Sequence, residues 1–271
     1  MTKFFDQYVE PFVSSFGRIF VSLFNASRVA LEEMGRMLRM LWASCKLVVT
    51  PPVRWQLIVD QMQFIGVGSL FIVVLTAIFS GMVFALQSGR AFAIFGAETL
   101  TGAVVTITLS RELAPVLTAL MVTARSGSAM AAQIGTMQVT QQIEALSAMA
   151  VNPIDYLIAP RIVAAILVMP MLTSIFDFVG LLGAYIVSTK LLNIDPAMFM
   201  EKIRYYVDVA DIVQGLFKSI FFAVILSLVS CYQGLQAQKG AYDVGRRVTM
   251  AVVISSVAIL VADYFLTALL F

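Results

Sequence analysis

The sequence predicts an all-α integral membrane protein, and three observations support that prediction. Hydrophobic residues make up 60% of the 271 residues, charged residues make up only 13%, and the mean hydropathy is +0.92. Soluble domains usually carry about 25% charged residues. The apolar residues also fall in long runs that leave no stretch able to form a soluble core of its own. We therefore expect helices that cross a bilayer.

Composition excludes several kinds of site. The chain contains no histidine, which excludes His-based catalytic triads, His metal sites and imidazole pH switches. Cys45 and Cys231 form no CxxC motif, so we expect unpaired thiols and no metal site. The net charge of +2 is too small to suggest a nucleic-acid partner. Residues 1–20 lack the basic start and apolar core of a cleavable signal peptide, and we expect none.

Residues 1–54 are predicted to form an amphipathic helix region at the membrane interface. Apolar residues recur at steps of three and four, and charged residues follow another stripe. We expect the basic side chains to face lipid head groups; a soluble helix packed on a partner is the alternative. Pro51 and Pro52 end the helix. The apolar stripe comprises Leu31, Met34, Leu38, Leu41, Cys45 and Val48, and the charged stripe Arg28, Glu32, Arg36, Arg39 and Lys46.

Residues 55–271 are predicted to form a domain of five transmembrane helices. Crossing a hydrocarbon core about 30 Å thick requires about 20 apolar residues in a helix. We expect Pro115 to kink the second span, because it removes a backbone hydrogen bond. The five segments that meet the length requirement are Phe64–Leu86, Thr99–Ala124, Ile162–Thr189, Ile212–Leu235 and Val248–Phe271.

The distribution of Lys and Arg predicts the orientation of these spans. Twelve basic residues lie on one side and four on the other, and the richer side is expected to be cytoplasmic. The N-terminus is then cytoplasmic, and five spans place the C-terminus on the opposite side. The predicted cytoplasmic set is Lys3, Arg18, Arg28, Arg36, Arg39, Lys46, Arg54, Arg125, Arg161, Lys239, Arg246 and Arg247, and the opposite set is Arg90, Lys190, Lys202 and Arg204.

Five ionisable residues lie inside the predicted spans: Arg111, Glu112, Asp177, Lys218 and Asp263. Such groups are costly in hydrocarbon and normally face a partner or a cavity. Counted at about 1.5 Å per residue, Lys218 and Asp263 lie at similar depths, so we expect them to meet. Arg111 and Asp177 form a second possible pair. Either these groups are structural ion pairs, or they line a cavity that receives a polar head group.

The connection between the second and third spans contains a candidate docking helix near residues 133–150. Small residues at 125–132 allow close helix packing. A short amphipathic helix after them could dock into a groove on a soluble partner, and an inert loop is the alternative. The apolar ridge comprises Met137, Ile143 and Leu146, beside the polar residues Gln141, Gln142 and Glu144.

Several ordered motifs over residues 64–271 resemble the MlaE/YrbE permease family of lipid-transporting ABC systems. The motifs are residues 111–120 (RELAPVLTAL), 124–129 (ARSGSA), Gly135-Thr136-Met137, residues 140–143 (TQQI), Asn152-Pro153 and Pro160-Arg161. In two places the chain departs from the family pattern. Gln133 and Gln141 stand where acidic residues are common, which leaves Glu144 as the only acid of the predicted coupling region.

The resemblance implies a homodimeric permease of the bacterial inner membrane. It implies a cytoplasmic ABC ATPase dimer and a periplasmic MCE-domain protein as partners, with phospholipids held at the dimer interface. Residues 135–146 would act as the coupling helix, and closure of the ATPases would move it and squeeze a lipid-sized cavity. The residues assigned to coupling are Gly135, Met137, Thr140, Gln141, Gln142 and Glu144.

Two sets of side chains are predicted to contact the lipid. The acyl chains are expected to contact apolar side chains of the first two spans, such as Leu75, Phe79, Val83 and Leu86, although lipid-facing or core packing explains any one of these equally well. The polar lining or gate is assigned to Arg111, Glu112, Lys218 and Asp263.

The energy source is expected to lie on another chain. The sequence has no GxxxxGK[ST] phosphate loop, and no nucleophile stands beside a base. We therefore expect a transport subunit without enzymatic activity or a cofactor of its own, with ATP bound by the partner ATPase. A secondary transporter that uses Asp177, Glu112 or Asp263 as an ion or proton relay is the main alternative, and a membrane scaffold is the third.

Overall fold

The computed structural model describes residue 28 and residues 31–44 and 55–270. The regular elements of this described part are all helical, which confirms the all-α membrane fold. Five helical segments are long and apolar enough to cross a bilayer, and each contains one of the predicted spans, apart from the undescribed residue 271 at the end of the fifth. We name them span 1 (Trp55–Ala93), span 2 (Glu98–Val139), span 3 (Ile154–Lys190), span 4 (Val209–Leu235) and span 5 (Ala241–Leu270).

Spans 2 and 3 are not uniform α-helices, and a short helix follows each of them. Span 2 consists of Glu98–Leu100 (3₁₀), Thr101–Thr108 (α), Leu109–Leu113 (π), Ala114–Val122 (α), Thr123–Gly127 (π) and Ser128–Val139 (α). Span 3 begins with the π-helix Ile154–Ile158 and continues as Ala159–Lys190. The short helices are Gln142–Ala148, after span 2, and Pro196–Tyr206, after span 3.

Spans 1 and 3 pack closely because small residues line their contact. A Cβ atom on Gly81 would overlap the carbonyl oxygen of Gly180, and one on Gly183 would overlap the carbonyl oxygen of Ile78. Small residues let membrane helices approach in this way. The buried residues of span 1 recur every four positions for much of its length: Ile58, Ile65, Ser69, Val73, Ala77, Gly81, Ala85 and Gly89.

The described part of the predicted interfacial helix, residues 31–44, is helical and has three faces. Met40 and Ser44 are buried, and Met40 belongs to a cluster that includes Ile134 and Leu228, at the predicted cytoplasmic end of the bundle. Leu31, Met34, Leu38 and Trp42 point outward and are more than half exposed, and the charged residues occupy the remaining face. This arrangement suits a helix that lies in the membrane interface. Cys45, Val48, Pro51 and Pro52 lie outside the described residues.

The glycine contact between spans 1 and 3 leads to a stability prediction. We expect Gly81→Ala to lower the free energy of unfolding by about 1–3 kcal/mol, because the added methyl group must push two backbones apart. The measurement is thermal or denaturant unfolding in detergent, followed by circular dichroism. Gly245→Ala is the matched control, since no atom lies within 4 Å of its Cβ position. Equal stability of the two variants would contradict the close packing.

Candidate functional site

The candidate site begins at a widened turn in span 2. The amide of Ala114 bonds to the carbonyl of Leu109, five residues back, so Leu109–Leu113 is a π-turn directly before Pro115. The π-turn contains Arg111 and Glu112 and lies beside Pro115, the position at which a kink is predicted. Single π-turns inside α-helices occur frequently at functional sites.

Span 4 meets this turn through a glycine. A Cβ atom on Gly215 would overlap the carbonyl oxygen of Ser110, so only glycine allows the two backbones to approach this closely. Asp211 and Lys218 lie about one turn to either side of Gly215 on the same face of span 4. The approach therefore carries one acid and one base of span 4 to the charged residues of the π-turn.

The ammonium group of Lys218 joins spans 2, 4 and 5. It donates to Glu112 Oε2 at 2.6 Å, to Asp263 Oδ1 at 3.2 Å and to Thr267 Oγ1 at 2.7 Å, so all three of its hydrogens have acceptors. Thr267 also lies 3.2 Å from Glu112 Oε2. We call Glu112, Lys218, Asp263 and Thr267 the Lys218 cluster. The cluster holds two acids and one base.

Arg111 forms a separate ion pair with span 4. Its Nε donates to Asp211 Oδ1 at 2.7 Å, and its Nη2 contacts the same oxygen. Asp211 is 2% exposed, and its second carboxyl oxygen accepts from the amide of Asp208 at 3.0 Å, which closes a capping box at the start of span 4. The Asp211 carboxylate thus caps the N-terminus of span 4 and also binds the guanidinium group of Arg111.

The structure tests the predicted pairs directly. The pairing of Lys218 with Asp263 is confirmed at 3.2 Å. The pairing of Arg111 with Asp177 is wrong: Arg111 binds Asp211, and the buried carboxyl group of Asp177 has the hydroxyl of Ser110, not a base, as its polar neighbour.

Two members of this polar region escaped the sequence analysis, namely Asp211 and Thr267. The i, i+4, i+7 spacing of Asp211, Gly215 and Lys218 was a signal for the first, because it marks one helical face. Thr267 follows Asp263 by four residues, and its hydroxyl donates to the Asp263 carbonyl at 2.8 Å.

The four residues of the predicted polar lining differ in solvent exposure. The Lys218 side chain is only 2% exposed, whereas Glu112, Arg111 and Asp263 are 31%, 26% and 22% exposed. A polar molecule outside the cluster would therefore meet the two carboxylates and the guanidinium group before it met the ammonium group. The described residues contain no group of three or more Cys, Asp or Glu side chains arranged to hold a metal ion.

The predicted acyl-chain residues lie on the outer face of span 1. Leu75, Phe79 and Val83 are 44%, 59% and 52% exposed, and Leu86 is half-buried. These four side chains point away from the buried face of span 1, which contains Gly81 and packs against span 3. None of the polar contacts of the Lys218 cluster involves span 1, so the two predicted sets are not brought together by those contacts.

The predicted coupling region is divided between two helices. Residues 133–139 continue span 2, and Gln142–Ala148 forms its own short helix after a break at Gln141, whose φ of 60° is left-handed. Thr140, Gln141, Gln142 and Glu144 are exposed, whereas Gly135 is buried and Met137 packs against the interior. A Cβ on Gly135 would lie 3.2 Å from Val244. Only the exposed members present a surface to a partner.

Two arginines that served to predict topology are partly or wholly buried. Arg161 is 6% exposed and donates to Gln133 at 3.1 Å. The Arg125 guanidinium contacts the carbonyl oxygen of Phe64, lies 5.0 Å from the centre of its ring and occupies the space where Gly68 has no side chain. These arginines stabilise helix contacts at the predicted cytoplasmic end.

Comparison with known proteins identifies relatives across most of the chain. The family model described as Permease MlaE matches residues 58–269. A probable ABC transporter permease protein of Rickettsia typhi is 44% identical over 83% of this chain and 86% of its own length. The intermembrane phospholipid transport system permease protein MlaE of Haemophilus influenzae is 35% identical over 96% of this chain and 97% of its own. The chloroplastic protein TRIGALACTOSYLDIACYLGLYCEROL 1 of Arabidopsis thaliana is 37% identical over 81% of this chain and 63% of its own.

The Lys218 cluster leads to a prediction about rescue. We expect Lys218→Met to lower the free energy of unfolding by about 3–5 kcal/mol, because it leaves two acids in hydrocarbon without their base. Adding Glu112→Gln and Asp263→Asn should recover much of that loss. The measurement is unfolding in detergent, and Lys190→Met, at an exposed helix end, is the control. A triple variant no more stable than Lys218→Met would show that charge compensation is not the role of Lys218.

Proposed function

Because the chain belongs to the MlaE permease family, we propose that it is the permease subunit of an ABC transporter that moves phospholipids between the inner membrane and a periplasmic MCE-domain protein. The single observation that carries this proposal is the match to an intermembrane phospholipid transport permease over nearly the whole chain. The five spans and the buried ion pairs among spans 2, 4 and 5 suit a permease. ATP hydrolysis would take place on a separate ATPase chain.

The proposed assembly is a homodimer that binds a cytoplasmic ATPase dimer. The basic residues support a cytoplasmic N-terminus and a periplasmic C-terminus. Span 5 supports a dimer contact, because only Ala251, Ser255 and Ile259 of its thirty residues are buried within one chain. A second copy is one means of covering its outward face and of bringing the apolar face of span 1 near a Lys218 cluster.

The proposed lipid path uses the two predicted sets in different ways. Acyl chains would lie against the exposed apolar residues Leu75, Phe79 and Val83, with Leu86 beside them. The head group would meet the partly exposed side chains of Glu112, Asp263 and Arg111. Lys218 would hold these acids in position from within, since its three hydrogens already have acceptors.

Motion of the site would begin at the coupling region. The exposed residues Gln142 and Glu144 would bind a groove on the ATPase, and Gly135 would transmit the movement to span 5 through its contact with Val244. Span 2 is continuous from this region to the π-turn at Arg111, so a tilt at one end would displace the ion pairs at the other. Two such pairs could break and re-form as a lipid passes.

The alternative of an ion or proton relay receives less support. Glu112 and Asp263 both bind Lys218, whose three hydrogens already have acceptors, so both acids are held in one ion cluster and are not free to take up an ion. Asp177 has no base among the residues that line its cavity.

A reconstituted transport assay tests the proposal. The chain, its ATPase and its MCE-domain partner would be placed in vesicles with a fluorescent phospholipid, and transfer to the MCE protein would be measured with and without ATP. We expect transfer that depends on ATP and is unaffected by a proton ionophore. Transfer driven by a proton gradient in the absence of ATP would support the relay instead.

A charge reversal tests the coupling surface. We expect Glu144→Arg to weaken copurification of the ATPase by about tenfold, because it reverses the only acid of an exposed docking surface. Glu98→Arg, an exposed acid at the opposite end of span 2, is the matched control and should leave copurification unchanged. Equal effects of the two reversals would remove the coupling assignment.

A further inference from the structure

A trough runs along the outer side of span 3, apart from the Lys218 cluster. A cavity of about 250 Å³ lies among span 2, span 3 and the start of span 4, and a second of about 190 Å³ lies between span 3 and the helix Pro196–Tyr206. Both cavities are bordered by Phe178 and Leu181, so they are neighbouring parts of one groove. We call this groove the span 3 trough. Phe178 and Leu182 are 66% and 44% exposed, which shows that the trough opens outward.

Asp177 borders the deeper part of the trough. Of the residues that line the two cavities in the described structure, it alone carries a formal charge. Both carboxyl oxygens are covered by protein and no basic side chain binds them; the Ser110 hydroxyl, which also lines the cavity, is their polar neighbour. An unpaired carboxylate is costly in hydrocarbon. A rotation about the side-chain bonds would turn the carboxylate toward an incoming cation.

The hydroxyl groups of the trough are also arranged as acceptors. Thr106 donates its hydrogen to the carbonyl of Gly102 at 2.7 Å, and Ser174 donates to the carbonyl of Pro170 at 2.9 Å. Each hydroxyl therefore has only lone pairs left for another molecule. A carboxylate and two such hydroxyls match a cation that donates several hydrogen bonds.

Depth favours a polypeptide over a lipid head group as the source of that cation. Asp177 lies roughly 20 Å along the helix from Lys190 and roughly 24 Å from Arg161. Lipid head groups lie at the surfaces of a hydrocarbon core about 30 Å thick, so a head group must leave its surface to reach this depth. A side chain on a transmembrane helix can be placed there by its sequence position.

We propose that the span 3 trough binds a transmembrane helix of another membrane protein, which places a Lys or Arg side chain against Asp177. The cavity of about 250 Å³ accommodates one long basic side chain, and the exposed apolar residues beside it contact the rest of the helix. The ion pair with Asp177 and the apolar packing together fix the position of the bound helix along span 3. This inference does not depend on the lipid or on the energy source of the proposed function.

The test uses the full chain in phosphatidylcholine vesicles, with a donor fluorophore at its N-terminus. The probes are acceptor-labelled transmembrane peptides of leucine and alanine: one with a central Lys, one without Lys, and one with the Lys two turns from the centre. We expect the central-Lys peptide to associate about tenfold more tightly than the other two. Equal energy transfer to all three peptides would overturn the proposal. This comparison uses the unaltered chain, so it does not depend on whether a variant folds.

Matched variants of the chain locate the contact. Asp177→Asn should remove the preference for the central Lys, whereas Asp60→Asn, an exposed acid at the start of span 1, should retain it. A preference that survives Asp177→Asn overturns the proposal. Loss of the preference in vesicles with phosphatidylethanolamine would identify a lipid ammonium group as the occupant, and a changed oligomeric state of Asp177→Asn would identify a second copy. Either result also overturns it.

Discussion

The contact between Gly215 and the carbonyl of Ser110 is the constraint on which the polar region depends. With no Cβ at this position, span 4 lies directly against the π-turn of span 2. Asp211 and Lys218 then reach Arg111 and Glu112 at the same time, one on each side of the contact. Ion pairs in hydrocarbon are favourable only when their geometry is good. One backbone contact therefore sets the geometry of two ion pairs.

The sequence predicts the spans and part of this polar region, each for a different physical reason. Long apolar runs identify the spans because the bilayer demands a minimum length. Counting residues gives the depth of a charge, which suffices to pair Lys218 with Asp263. Depth does not give direction around the helix axis, and the π-turn inserts an extra residue that changes direction by about 100°. Depth alone therefore does not identify Glu112 as the second acid bound to Lys218, and Asp211, the partner of Arg111, lies one residue before the predicted fourth span.

The same limit applies at the predicted cytoplasmic end. A count of basic residues treats Arg125 and Arg161 as charges that face head groups, whereas both are held by neighbouring helices. Their partners, Phe64 and Gln133, are distant in sequence or carry no charge, so no local pattern marks them. The coupling region shows a related effect: the left-handed Gln141 separates residues that the apolar pattern joined into one helix.

The charges inside the spans also show that one chain is electrostatically incomplete. Apart from Arg125 and Arg161 at the predicted cytoplasmic end, the two bases Arg111 and Lys218 lie among four acids, Glu112, Asp177, Asp211 and Asp263. Asp211 is matched by Arg111, and Glu112 and Asp263 share one ammonium group at a partly exposed position. Asp177 has no base among the residues that line its cavity. Because an uncompensated charge is unfavourable in hydrocarbon, protons or cations from outside the chain must balance the remaining acids. The two positions differ: in the Lys218 cluster two acids share one base, whereas no base of this chain lines the cavity at Asp177.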